Sequence, residues 1–468
     1  MIAGLKPYPK YKDSGVAWLG GIPAHWALMP GLSAYIPKQI KNNGMQIKTV
    51  LSLSYGRIII KPPEKLHGLV PESFETYQII DPGNIIIRVT DLQNDKVSLR
   101  VGIARNKGII TSAYLCLRVH GDMSADYGYL LLNAYDLMKI FYGLGSGLRQ
   151  NLDYRDIKRL PIVIPPNVEQ AAITKYINHI DRLISRYIRL KRRQIELLNE
   201  QKQAIIHSAV TRGLDPNVKL KPSGIDWLGD VPEHWEIKPL KRWVVINQSN
   251  LPETTDPLFE FGYIDISSVG TGMLTGEIQR MCFRESPSRA RRILKRGDVI
   301  ISTVRTYLKA VYFIKQDMND LIASTGFAVL TPKHGIIPEF LGYLVMNDNF
   351  INRVTANSVG VAYPAIQETR IGSFRVAVPP TGKEQEKIVR YIEDKTQDIE
   401  KVVKNISIEI DLLREYRTRL IADVVTGKVD VREIAARLPD VVEDEPEPED
   451  DGEPLEAETE SGAEDAEN

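Results

Sequence analysis

Two regimes of hydrophobic patterning follow one another along the chain, and the pair occurs twice. In the first regime, short β-branched runs are bounded by turn residues. Residues 84–89, 114–119, 298–304 and 327–330 have this form and predict buried strands. Helical spacing interrupts them at 127–142 and again at 338–354. Strands with helices set among them predict an α+β domain. Paired prolines, Pro165-Pro166 and Pro379-Pro380, then close each set of strands.

Beyond the prolines the period changes to that of a helix. Residues 169–212 and 383–426 contain neither Pro nor Gly over 44 positions each. Apolar residues recur at Ile173, Ile177, Ile184, Ile188, Ile195, Leu198 and Ile205. The second stretch has Ile388, Ile392, Ile399, Val403, Ile406, Ile410, Leu413 and Leu420. Steps of three, four and seven predict a coiled-coil seam, and an ordinary surface helix rarely runs so long unbroken. Two such stripes bury each other most simply as an antiparallel pair, about 66 Å long at ~1.5 Å per residue. That arrangement predicts a pseudo-twofold with one domain at each end of a rod. The expected boundaries are 1–165 and 214–379 for the two domains, 166–213 and 380–427 for the helices, and 428–468 for a C-terminal segment.

The repetition extends to individual residues. SGVAWLGGIPAHW at 14–26 returns as SGIDWLGDVPEHW at 223–235, with eight identities in thirteen positions. Gly83-Asn-Ile-Ile-Ile matches Gly297-Asp-Val-Ile-Ile, and Gly128-Tyr-Leu matches Gly342-Tyr-Leu. Glu169-Gln170, Ile173 and Tyr176 match Glu384-Gln385, Ile388 and Tyr391. The offset drifts only from 209 to 215, so the same elements recur in order with small loop differences.

Charge changes the picture. The formal net charge is zero, but residues 440–468 hold fifteen acidic residues and no Lys or Arg. The remaining 439 residues have 60 basic and 45 acidic side chains, a formal +15. Such a body suits a polyanion, whereas the tail has too little apolar content to fold. Solvation alone is the plainer account of the same charge. The opening MIAGLKPYPKYK has no apolar core, and no stretch approaches eighteen apolar residues, so no membrane span and a cytoplasmic location are expected. Cys116 and Cys282 lie far apart and read as free thiols. The seven histidines show no metal-binding spacing, and no phosphate-binding glycine loop of the G-x-x-x-x-G-K type occurs.

One string looks enzymatic. Phe141-Tyr-Gly-Leu-Gly-Ser-Gly147 has the form of an AdoMet-binding glycine loop, which would make the chain a stand-alone methyltransferase. However, it follows a helical pattern, and the other half carries Asn357-Ser-Val-Gly-Val-Ala-Tyr363 there. A loop beside DNA fits as well, because Arg149, Gln150 and Asn151 follow directly. Arg reads guanine, and Gln or Asn reads adenine, by paired hydrogen bonds in the major groove. The matching loop of the second half offers Tyr363, Gln367 and Arg370. Arg57, Arg88, Asp91, Gln93, Asn94 and Lys96 stand at turns after apolar runs. Thr303, Arg305, Tyr307 and Lys309 hold the equivalent place in the second half. Loops on rigid strands suit both phosphate anchoring and base reading, and a polar surface turn is the plainer alternative. Trp18, Trp26, Trp227 and Trp235, with His25 and His234, are expected to pack rather than react.

The tandem plan, the WLG-x-[IV]-P-x-HW openings and the proline pair before Glu-Gln and a long helix resemble the specificity subunit of Type I restriction-modification systems. LSLSYGRI at 51–58, RVTDLQND at 88–95 and GSGLRQNLDY at 145–154 add to the resemblance, which covers about residues 8–430. It implies two target-recognition domains that read a split, asymmetric site in double-stranded DNA. It further implies two methyltransferase subunits docked on the helices, and restriction/translocase subunits joining them. AdoMet, ATP and magnesium chemistry would then lie in those partners, leaving this chain with no catalytic site and no cofactor of its own. A purely structural coiled-coil scaffold is the third reading, and it predicts no sequence preference. The acidic tail and the first opening, which continues as ALMPG where the second has EIKPLKRW, depart from the family pattern.

Overall fold

The computed structural model describes residues 5–62, 73–90, 92, 99–144, 151–225, 227–315, 320–360 and 363–439. The chain divides into two units: Met1–Arg192 with Ser407–Asn468, and Arg193–Ile406. Each unit therefore combines one α+β domain with part of both long helices.

In the first unit the central sheet is antiparallel. Its order is Tyr35–Pro37, Tyr114–Val119, Ile85–Arg88, Val101–Ile103. The second unit repeats that order with Val244–Ile246, Phe327–Pro332, Val299–Ser302 and Val311–Phe313. The predicted strands at 84–89, 114–119, 298–304 and 327–330 thus form the middle of each sheet. They read as unbroken apolar runs because both faces are covered. Ile85 and Ile87 pack into the core beneath helix Ala125–Leu137, while Ile86 faces a second cluster with Cys116, Leu51 and Ile110. In the second unit Val299 and Ile301 face one core and Ile300 the other. Burial pushes the Cys116 thiol up to about 12, so it stays protonated.

A smaller strand layer covers the outer face. In the second unit it orders Gln279–Cys282, Glu260–Ile264, Leu321–Ser324 and Ala290–Ile293, the middle two parallel. The first unit has hairpin Leu51–Ser54 with Arg57–Ile60, the pair Gln78–Ile80 with Gly108–Ile110, and a parallel bridge from Val50 to Ile109.

The helix predicted at 338–354 is two helices, Pro338–Val345 and Asp348–Ala356. Asn347 separates them, because its side-chain oxygen accepts from Asn349 N at 3.0 Å and caps the second helix.

The long helices run Asn167–Arg212 and Gly382–Val425. Within the first unit they pair antiparallel, through Asp181–Arg417 at 2.5 Å and Lys191–Glu409 at 2.9 Å. Within the second unit Lys202–Glu400 at 2.6 Å shows the same direction. Ile173, Tyr176 and Ile177 join Leu420, Val424 and Val425 in the first core; Ile206, Ala209 and Val210 join Ile388, Val389 and Ile392 in the second. The predicted seam positions Ile195, Leu198 and Ile205 are only half-buried, and Ile206 takes the core position. An α-helix drifts about 20° per heptad against a strict 3.5-residue repeat, and packing onto the domain turns the last stripe toward that core.

Each helix start is bolted to its domain by the repeated Glu-Gln. Glu169 accepts from Trp26 Nε1 (2.9 Å) and pairs with His25 Nε2 (2.7 Å). Glu384 does the same with Trp235 (2.9 Å) and His234 (3.1 Å). Gln170 accepts from Ser124 N and donates to the carbonyls of Asp122 and Pro165, and Gln385 serves Ile337, Gly335 and Pro379 in the same way. Trp26 and Trp235 are buried. Each helix also stops at a left-handed glycine, Gly213 or Gly427. A Cβ on Gly427 would come within 2.5 Å of Pro23 and 2.8 Å of Trp26, so no side chain fits there.

Candidate nucleic-acid interface

In the second unit the structure brings two of the predicted segments together. After strand Val299–Ser302 the chain makes a tight turn, Thr306–Leu308. Arg305 and Lys309 bracket that turn with φ of 51° each, a left-handed conformation uncommon outside glycine. Thr303 is buried, and both its N–H (2.8 Å) and its hydroxyl (2.9 Å) donate to the Gly326 carbonyl. Its own carbonyl accepts from Ile366 N at 2.8 Å, and Val304 and Val359 both bridge Ala365. Thr306 and Ser358 hydroxyls meet at 2.7 Å. These bonds set residues 303–309 beside 357–360 and 363–370.

The exposed side chains of the joint surface include Arg305, Tyr307, Lys309, Tyr363, Gln367 and Arg370, along with the apolar Leu308 and Val359. The Arg305 guanidinium lies over the Tyr363 ring, 5.1 Å from its centroid. Gln367 precedes helix Glu368–Ser373 with its side chain unused as a cap, and Arg370 Nη2 donates to Asn357 Oδ1 at 3.0 Å. Cations, an amide and two aromatic rings are exposed on the two joined segments, which buried Thr303 and Thr306 hold together. That set can neutralise phosphates and meet base edges.

The first unit repeats the bond that joins the two segments. Leu152 N donates to the Val89 carbonyl at 2.8 Å, 214 residues before the Ile366–Thr303 bond. Asn151 is exposed there, Arg88 is exposed at its strand end, and Arg57 is half-buried after the left-handed Tyr55-Gly56 turn. Asp91, Gln93, Asn94, Lys96, Arg149 and Gln150 lie outside the described residues. Phe141, the first residue of the glycine string, is buried in the short helix Ile140–Gly143 that follows a helix, not a strand. A cofactor loop instead follows a strand directly; Gly145, Ser146 and Gly147 of the string lie outside the described residues. Among the described residues no group of three His, Cys, Asp or Glu could hold a metal, and no helix is long and apolar enough to cross a membrane.

Residues 285–410, which contain the whole of this joint surface, match the model of the Type I restriction modification DNA specificity domain. Among curated proteins the chain is similar to the Type I restriction enzyme HindI specificity subunit of Haemophilus influenzae, 22% identical over 165 residues. It is also similar to the putative Type I restriction enzyme MjaX specificity subunit of Methanocaldococcus jannaschii, 32% identical over 92 residues. The matched stretches cover 33% and 20% of this chain, and span 36% and 20% of those relatives. Among solved structures, a chain described for complex assembly and conformational transition of the type I R-M system shares the fold. Its TM-score is 0.59 at 13% identity, covering 87% of this chain and 99% of that one.

The second unit also holds functional candidates outside the sequence-predicted set. Residues 280–296 carry seven Arg or Lys against one acidic residue, Glu285. Arg280, Arg284, Arg289, Lys295 and Arg296 are exposed. Arg292 joins this segment to the joint surface through Glu368 at 3.2 Å, and its Nη1 also donates to Asn250 Oδ1 at 2.9 Å. The density of basic residues was the available signal. It has no counterpart in the first half, so the duplication did not point to it.

Proposed function

We propose that the chain is the DNA sequence-recognition subunit of a Type I restriction-modification complex. Each unit reads one part of a bipartite, asymmetric site, and the chain directs partner adenine methyltransferase and nuclease/translocase subunits to it. The observation that carries this reading is the joint surface of residues 303–309 and 363–370 inside a specificity domain. Side chains suited to phosphates and base edges stand there on a rigid backbone. Arg305, Lys309 and Arg370 neutralise phosphates or read guanine, Gln367 reads adenine, and Tyr307 and Tyr363 supply contact area. Thr303 acts as a strut from within. Arg57, Arg88, Asn94, Lys96, Arg149, Gln150 and Asn151 serve the other half-site. Different residues at equivalent places give the two halves different target sequences. The AdoMet, ATP and magnesium chemistry belongs to the partner subunits, which dock on the long helices.

The reading is tested by titrating the full chain with duplex DNA at rising salt. Counterion release predicts a steep linear fall of log affinity with log salt between roughly 50 and 200 mM. A flat response would remove the DNA function.

A further inference from the structure

Three strands of the second unit end side by side next to the Arg305 turn. Glu260–Ile264 runs into Asp265, Leu321–Ser324 into Thr325, and Val299–Ser302 into Thr303. Arg289 stands at the start of Ala290–Ile293, the neighbour of Leu321–Ser324, and its carbonyl accepts from Thr325 N at 2.8 Å. One residue further on, the Gly326 carbonyl takes both Thr303 bonds. Gly326 has no room for a side chain, since a Cβ would lie 2.6 Å from Ile266 Cδ1 and 3.1 Å from Val304 Cγ2. The turn is therefore clamped, and it fixes Arg289 against the edge that carries Arg305.

The Arg289 side chain is itself held at two points. Its Nη2 lies 2.9 Å from Asp265 Oδ2, and its Nε donates to the Tyr263 hydroxyl at 3.2 Å. That hydroxyl donates to Asp265 Oδ2 at 3.0 Å, while Asp265 Oδ1 accepts from Ser267 N (3.3 Å) and the Ser267 hydroxyl (3.2 Å). Burial works against the Asp265 charge, but Ser267, Tyr263 and Arg289 together hold its carboxyl below the ordinary value. The carboxylate is a quarter exposed and the arginine more than half, at 26% and 59% of their side chains. With its arginine more than half exposed, the ion pair contributes about 0–1 kcal/mol to stability, which leaves the two-residue hold on that side chain to be explained otherwise. What the cradle achieves is a fixed guanidinium plane. No described residue takes the Nη1 donors. A planar guanidinium with free donors matches guanine O6 and N7 in the major groove.

We propose that Arg289, oriented by Tyr263 and Asp265, reads a guanine in the half-site of the second unit. The inference rests on the DNA-recognition function above and adds a reading residue outside the 303–309 and 363–370 segments. Tyr263 and Asp265 are positioning residues: they touch the arginine, not the base.

The test is selection of bound duplexes from a random pool by the full chain, as wild type, Arg289→Ala, Arg289→Lys and Asp265→Asn, with melting curves to show that each variant folds. Wild type should select an invariant guanine. Arg289→Lys keeps the charge, and with it the affinity for duplexes that lack the guanine, but should lose the guanine preference at that one position, by roughly 5- to 150-fold. Asp265→Asn should weaken the same preference and leave every other position unchanged. If Arg289→Lys and Arg289→Ala select the same site as wild type, the inference is wrong and the wider DNA function stands. If Arg289→Ala lowers affinity for all sequences equally, Arg289 is a phosphate anchor and the inference is again wrong. A wild-type chain that selects no sequence overturns the DNA function and this inference with it.

Discussion

The two units carry one backbone plan but secure their loops by different means. In both, the strand end bonds across to the next strand: Arg88 N to the Arg100 carbonyl at 2.9 Å, and Ser302 N to the Ala310 carbonyl at 2.9 Å. Position 100 in the first unit thus corresponds to position 310 in the second. Arg100 is buried, its Nη1 donating to the carbonyls of Arg88 (3.2 Å) and Thr90 (2.5 Å), and its N–H to Asp136 at 2.9 Å. Ala310 offers no such donor. The second unit closes its shorter connection with the left-handed pair Arg305 and Lys309 around one tight turn. A duplicated scaffold therefore keeps its ladder bonds, and the loops it presents are free to differ in length and anchoring. That freedom is what a protein needs if its two halves are to read different sequences.

The comparison is broken most severely at Arg100. Arg100→Ala removes the donor to the Arg88 and Thr90 carbonyls and opens a cavity where a fully buried side chain stood, with an expected loss of about 2–4 kcal/mol in denaturant unfolding. A loss below ~1 kcal/mol would show that the side chain does not secure the loop. Glu169→Ala and Glu384→Ala ask whether the helix bolts are equivalent. Glu169 is nearly buried and also meets Arg432 at 3.4 Å, whereas 30% of the Glu384 side chain is exposed. The first change should cost about 2–3 kcal/mol and the second about 1 kcal/mol. Equal losses would remove the distinction. Arg305→Ala should cost about 1–3 kcal/mol of binding free energy for the cognate duplex if it reads a base.

The smallest effect concerns a pair that differs by one atom type. Asn84 Oδ1 accepts from Asp81 N (3.0 Å), and Asp298 Oδ2 accepts from Lys295 N (2.8 Å), in equivalent turns. Burial raises the Asp298 carboxyl above its ordinary value, so the ionised group is disfavoured in the folded state. Ionisation then costs stability once pH exceeds the unfolded value, and the cost is complete above the raised folded one. Asp298→Asn should be neutral or stabilising by up to about 1 kcal/mol at pH 7, an advantage that fades as pH falls through the raised value. A destabilised variant at pH 7 would mean that the Thr331 hydroxyl bond to Asp298, 2.7 Å long, outweighs the burial cost.

The sequence pattern revealed what depends on local chemistry. The Gly83 and Gly297 turns recur at left-handed φ of 84° and 89°, and the Glu-Gln bolts make the same bonds in both units, so the duplication and the α+β plan were legible. The helix pairing direction followed from burying two apolar stripes. Its phase at Ile205 and Ile206 did not, because contact with the second core decides which face turns inward. Arg305 and Tyr363 were each noticed, but only the bonds from Thr303 to Ile366 show that they share a face. Tyr263, Asp265 and Arg289 were missed altogether. Up to 26 residues separate them, and strand pairing unites them, which no periodicity records.

The central claim is that each unit reads its own part of one split site. The most direct measurement compares the duplexes selected from a random pool by the full chain and by its Arg305→Ala variant. The account predicts two short blocks of fixed sequence around an unread gap for the wild type, with one block degenerate and the other intact in the variant. A single uninterrupted block, or both blocks relaxed together by the one substitution, would contradict it.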